Sequence, residues 1–264
     1  MKERLDVVLV ERGLAGSRSQ AQALIMAGRA MVDGVVVDKA GAPVGEGADV
    51  SLTQPPRYVS RGGEKLETAL RELAIDVTGE RCLDVGASTG GFTDCLLQHG
   101  AESVVALDVG RGQLHERLRS DPRVVVMERQ NVRSLTADML PFRPSFVTAD
   151  VSFISLRTAL PAALAAAQEP WRAVVLVKPQ FEAGREHVRK GVVRDPEVRR
   201  AALQGVADFA TSQGLAVLGV CDSSLPGPAG NREYLMALAS GEHLSTGKRV
   251  IDVAEAIRDA VGDA

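Results

Sequence analysis

Apolar positions in the first fifty residues recur at helical spacing and then change period. In "RLDVVLVERG" the spacing of Leu5, Val8 and Leu9 predicts a short helix. Ser17 has the chemistry of an N-cap for a second helix, which ends near Gly28 and turns Ala21, Leu24 and Ile25 to one side. Asp33-Gly34 between two short apolar runs predicts a tight hairpin, because both turn positions need positive φ. Two helices and a hairpin make a very small unit, more suited to docking than to chemistry.

From Glu64 onward the pattern differs. Leu66, Leu70 and Leu73 stand at i, i+4, i+7, a helix face. The runs "RCLDV", "SVVALDV", "RVVVM", "SFVTAD", "AVVLVK" and "LAVLGVC" are short and mainly apolar. They read as strands buried on both faces of a sheet. "REYLMALA" fits a seventh strand or a helix. Helical stretches separate the runs, among them one that opens at Pro196, a residue favoured in the first helical turn. Alternation of this kind predicts an α/β Rossmann-like domain with a mostly parallel seven-stranded sheet, behind a small α+β domain. "TQPPRYVSRGG", rich in proline and glycine, reads as the connection. The expected division is 1–57, a linker at 58–63, and 64–264.

Composition removes several function classes. The formal net charge is −3 over 264 residues, so nucleic acid would have to be held by a local basic patch. Aromatics are 3% of the chain, too few for a broad base-stacking platform. Cys82, Cys95 and Cys221 lack CxxC spacing and read as core residues, which excludes a disulfide framework and suits a reduced, cytoplasmic protein. No apolar run reaches the ~18 residues of a membrane span. His187 has no neighbour at ligand spacing, so no metal is expected.

The stretch "DVGASTGGFTD" follows the first strand of the large domain directly. Asp84, Gly86, Ala87, Ser88, Thr89, Gly90 and Gly91 form a glycine turn at the carboxyl end of that strand, where such folds bind ligands. Asp108 ends the second strand, placed to meet ribose hydroxyls, and Asn131 follows the third, placed to meet a base edge. Together these residues resemble the S-adenosylmethionine pocket of a Rossmann-like methyltransferase. The same stretch contains G-x-S-x-G, the elbow of a serine hydrolase. That reading lacks the strands that normally precede an elbow and would recruit residues such as Asp222 and His243. A dinucleotide site is weakened by a turn that is not G-x-G-x-x-G.

Four charged residues fall at the same sheet edge. Asp150 closes the fourth strand and Lys178 the fifth. Lys65 opens the helix that feeds the first strand, and Glu233 would begin an antiparallel seventh strand. A hydroxyl that attacks a sulfonium methyl must lose its proton as it does so, and an ordinary lysine, pKa ~10.4, cannot accept it. Burial and a second cation would lower Lys178, whereas pairing with a carboxylate would raise it. The expected arrangement has Lys178 as base, with Asp150 and Glu233 orienting the lysines rather than pairing with Lys178. An ordinary surface ion pair is the alternative for each residue taken alone.

Residue strings now carry a resemblance. "ERLDVVLVERGLAGSRSQAQALIMAGRAMVDGVVV" is similar to an S4 domain, a small RNA-binding module. It implies phosphate contacts from Arg4, Arg18 and Arg29. "SRGGEKL", "DVGASTGGFTDCLL", "ADVSFISL", "VKPQFEAGRE" and "GPAGNREYL" resemble the hemolysin A (TlyA) family of ribosomal RNA 2′-O-methyltransferases, and the Lys65–Asp150–Lys178–Glu233 set resembles its K-D-K-E tetrad. The resemblance implies S-adenosylmethionine as cofactor, ribosomal RNA as partner and a ribose 2′-OH, on cytidine, as target. Arg61 in the connection, and Arg185 and Lys190 in the long loop from Pro179 to Pro196, are further candidate RNA contacts; a solvated basic loop fits the same residues. A membrane-active hemolysin and a non-catalytic RNA-binding protein are the other classes. The first would require an amphipathic or apolar membrane segment, and the second would transfer no methyl group.

Overall fold

The structure is a computed structural model. It describes residues 2–53, 56–241 and 251–262, with the side chain of Arg185 outside that description. The chain separates into two compact units, Met1–Pro56 and Arg57–Ala264.

In the first unit a short strand β1 (Lys2–Arg4) leads into helices α1 (Leu5–Glu11) and α2 (Arg18–Met26). Ser17 caps α2, accepting a hydrogen bond from the Gln20 amide. Strands β2 (Ala30–Val32) and β3 (Val35–Val36) form the anticipated hairpin, with Asp33 and Gly34 both at positive φ. β4 (Pro43–Gly45) pairs with β1, and β5 (Val50–Leu52) with β2. Leu5, Leu9, Ala21 and Ile25 close a small core beneath the helices.

The second unit is built on seven strands: β6 (Arg81–Val85), β7 (Ser103–Leu107), β8 (Val124–Met127), β9 (Phe146–Ala149), β10 (Arg172–Val177), β11 (Ala216–Asp222) and β12 (Tyr234–Ala239). Their order across the sheet is β11-β12-β10-β9-β6-β7-β8. Six strands run in one direction, and only β12, between β10 and β11, runs antiparallel to them. The helices that matter for the site are α3 (Arg61–Glu72), α4 (Gly91–Gln98), α5 (Glu116–Arg119), α6 (Leu156–Ala165) and α7 (Pro179–Glu182). Two apolar cores, one on each side of the sheet, hold these layers together. Every position of β12 is buried, which is why its sequence lacked the alternation that separates a strand from a helix.

The expected linker at 58–63 is corrected. Tyr58 is buried in the second unit's core, the Val59 amide donates to Asp94 at 2.8 Å, and α3 already begins at Arg61. The glycines that suggested a flexible connection serve packing instead. A Cβ on Gly63 would lie 2.3 Å from the Tyr58 ring. The three cysteines are free and buried, and burial pushes the thiols of Cys95 and Cys221 up to about 12.

Candidate active site

The four charged residues meet because of strand register. Val177 faces Tyr234 in the β10–β12 ladder, so Lys178 and Glu233 leave that ladder side by side. Ala149 pairs with Val175 and with Val85, which brings Asp150 to the same edge. Helix α3 starts at that edge with Lys65 in its second turn. A cleft of ≈ 260 Å³ is lined by Lys65, Asp150, Lys178 and Glu233 together with Arg61, Gly86, Ala87, Ser88, Thr89 and Gly91.

Inside the cleft the residues form two ion pairs. Lys65 Nζ lies 2.5 Å from Glu233 Oε2, and both residues are buried. Gln180 donates to the other Glu233 oxygen at 3.3 Å. Lys178 Nζ lies 2.6 Å from Asp150 Oδ1 and donates to Ser152 Oγ at 3.0 Å. The expectation that Asp150 would stand apart from Lys178 is thus corrected: both follow adjacent strands that end at one edge. The approach of Lys178 is off the hydrogen-bond angle, so Asp150 Oδ1 accepts no aligned hydrogen bond among the described residues. Ser152 and Gln180 were not found from sequence, because neutral polar residues two positions from a lysine or aspartate carry no spacing signal.

The glycine turn works by close packing as much as by openness. Gly86 has φ +81, and a Cβ there would meet the Asp150 carbonyl oxygen at 2.3 Å. A Cβ on Gly91 would lie 2.2 Å from Ser60 Oγ and 2.9 Å from the Gly63 amide nitrogen. Gly91 thus lets the N-termini of α3 and α4 touch, which brings Lys65 over the turn. Gly90 packs against Leu114 and Leu118 rather than lining the cleft.

Asp84 departs from its expected role. Its carboxylate is fully buried below the turn and accepts from Thr93 Oγ1 at 2.7 Å and Thr148 Oγ1 at 3.0 Å. Burial pushes its carboxyl up to about 6 against those two hydrogen bonds. It anchors strand to helix and does not line the cleft. Asp108 accepts from the Ser88 amide and the Gly110 amide, both at 2.7 Å, and so holds the turn open from the second strand. Asn131 is exposed and caps a single 3-10 turn through the Arg133 amide. Neither residue lines the ≈ 260 Å³ cleft.

The candidate RNA contacts divide. Arg4 and Arg18 are more than half exposed and share one buried carboxylate, Asp6. Arg29 spends its guanidinium on the Thr53 carbonyl. Arg61 lies exposed on the cleft rim and has no ion pair among the described residues. Lys190 is exposed at a turn closed by the Arg189–Val192 bridge. That loop is anchored rather than free, since buried Asn231 accepts from the Val193 amide and donates to the Gly191 carbonyl. His243, the hydrolase candidate, lies outside the described residues. No group of three or more potential ligands for a metal exists among the described residues, and none of their helices is long and apolar enough to cross a membrane.

Sheet order, cleft and charge set define a class, and comparison with known proteins agrees with it. Residues 58–240 match the FtsJ-like methyltransferase family and residues 3–50 the S4 domain. The chain belongs to the FtsJ-like methyltransferases, in the hemolysin A (TlyA) group that carries an S4 domain. It is 50% identical over 240 residues to the 16S/23S rRNA (cytidine-2′-O)-methyltransferase TlyA of Mycobacterium tuberculosis, covering 90% of each chain. It is 42% identical to Hemolysin A of Brachyspira hyodysenteriae, covering 88% of this chain and 98% of that one. A solved structure from Streptococcus thermophilus superposes with a TM-score of 0.74 at 41% identity, covering 98% of this chain and 94% of that one.

Proposed function

We propose that this enzyme methylates a ribose 2′-OH, on cytidine, in ribosomal RNA, with S-adenosylmethionine as methyl donor. The observation that carries the reading is the cleft in which two lysines and two carboxylates converge beside the glycine turn. The donor fits this chemistry. A sulfonium is cationic, and Asp150, which lines the cleft with its side chain 27% exposed, sets a carboxylate beside the glycine turn. Gly86, Ala87, Ser88, Thr89 and Gly91, which line the cleft, would hold the donor, which supplies an electrophilic methyl group when bound.

The remaining chemistry belongs to the chain's own side chains. Lys178 acts in its deprotonated form, with Asp150 2.6 Å away to orient the amine and to stabilise the ammonium that forms. The amine then takes the proton that the ribose hydroxyl releases. Ser152 keeps Nζ aimed while this happens. Lys65, held by Glu233, steadies the ribose or its phosphate. Holding the reactants in line contributes at least as much as the base.

Tritiated methyl transfer to purified small and large ribosomal subunits tests the reading. The wild-type chain labels RNA, and the labelled position maps to a ribose oxygen. Lys178→Ala and Asp150→Asn each lose about 10²-fold or more, the range of a proton-transfer group. Undiminished transfer by Lys178→Ala would remove the assigned base.

A further inference from the structure

The strongest feature unused by that chemistry lies in the first unit. Asp6, in the first turn of α1, is 0% exposed although its unit is small. It is covered by the groups it binds. Arg4 Nε donates to Oδ1 and Arg4 Nη2 to Oδ2, both at 3.0 Å. Arg18 Nε donates to Oδ2 at 3.0 Å, and Gln22 Nε2 to the same oxygen at 2.8 Å. These hydrogen bonds, that from Arg4 foremost, hold the Asp6 carboxyl well below the usual range. One carboxylate thus joins the end of β1 to two successive turns of α2.

The geometry leaves both guanidinium groups with donors to spare. The Arg4 and Arg18 side chains are 52% and 58% exposed. Among the described residues Arg18 commits only Nε, and Arg4 keeps Nη1. Arg4 reaches this pose across Gly41, where a Cβ would lie 3.0 Å from Nη1. A flexible arginine pays side-chain entropy whenever it is fixed on a ligand. Two that are already fixed on a buried anion do not.

We infer that Asp6 is a positioning residue that presets Arg4 and Arg18 as a single clamp for one RNA phosphate. The inference rests on the reading that the S4 unit grips RNA, and it adds which side chain organises that grip and how many phosphates the pair holds. Its signature has a sign opposite to simple charge. Asp6→Asn removes a negative charge next to the RNA, so coulombic attraction alone would strengthen binding. Loss of the organising anion weakens it.

The test measures binding of the full chain to a labelled ribosomal RNA hairpin between about 50 and 200 mM salt. Asp6→Asn binds about tenfold more weakly, the loss of one charge-assisted contact. Arg4→Ala and Arg18→Ala each lower the salt slope by about one, and together still by about one rather than two, because one phosphate is shared. A merely structural Asp6 would lower the melting temperature and leave that slope intact. Arg18→Lys covers the case in which Asp6→Asn fails to fold. It retains the charge but loses the Nε donor, and here it binds nearly as weakly as Arg18→Ala. Equal or tighter binding by folded Asp6→Asn, wild-type binding by Arg18→Lys, or a double variant that lowers the slope by two overturns the clamp. If the clamp results hold while the wild-type chain labels no ribosomal subunit, it is the methyltransferase substrate that is wrong.

Discussion

At the residue scale the two ion pairs of the cleft are unlike each other. Lys65 and Glu233 are both buried, whereas the Asp150 side chain is 27% exposed. Removing one partner of a buried pair strands the other charge, so Glu233→Gln is expected to cost about 3 kcal/mol of stability as well as activity. Denaturant melts of Glu233→Gln and Asp150→Asn check this, with the larger loss in the first. Asp84 yields a pH dependence. Its carboxyl is raised to about 6 by burial, so the charged form is the disfavoured one in the folded state. Its contribution is therefore unfavourable above pH ~6 and vanishes below the unfolded value near 4. Asp84→Asn removes that penalty while retaining partners for Thr93 and Thr148. The melting temperature of the wild type relative to Asp84→Asn is expected to be higher at pH 5 than at pH 8, and the opposite trend would contradict the burial argument. Phe153 is the exception to the scarcity of aromatics. It is 91% exposed with φ +64, and its ring lies 5.2 Å from that of Phe181, which in turn stands beside Lys178. A base stacked on such a ring gains about 1–3 kcal/mol. Phe153→Ala is expected to lower kcat/KM for RNA about tenfold and to leave the melting temperature unchanged, since it buries almost nothing.

At the element scale the site depends on where α3 begins. The touching N-termini of α3 and α4 leave no room for a side chain on Gly91. Gly91→Ala is expected to push α3 away, at about 1–3 kcal/mol of strain, and to reduce activity by displacing Lys65. Calorimetry together with methyl transfer would expose this, and a variant with normal activity would show that α3 has slack. The start of α3 was also the element least legible in the sequence. Pro55, Pro56, Gly62 and Gly63 have the composition of a linker, yet Gly63 is required by the Tyr58 ring, a tertiary reason that composition cannot express. Strands β6 to β11 were legible because strands covered on both faces are apolar at most positions. β1 was not, since its three residues are all exposed and its pairing with β4 leaves no hydrophobic trace.

At the scale of the whole molecule, two units carry separate cores, one small and one large. With a net charge of −3, attraction to RNA has to come from placed arginines rather than from the overall field. Deleting residues 2–56 is expected to preserve binding of S-adenosylmethionine and to abolish methylation of ribosomal subunits, which equilibrium dialysis and the tritium assay measure side by side. The sequence alone determined the order of most elements, the α/β class and the residues that stand at the strand ends, because these follow from helical periodicity and from the apolar runs of strands covered on both faces. It could not determine partners. Lys65 and Glu233 are 168 positions apart, and Asp6 meets Gln22 only once α1 and α2 have packed. Which lysine faces which carboxylate, and that Asp84 lies under the turn and not in the cleft, depend on distances fixed only when the sheet closes and the helices dock on it.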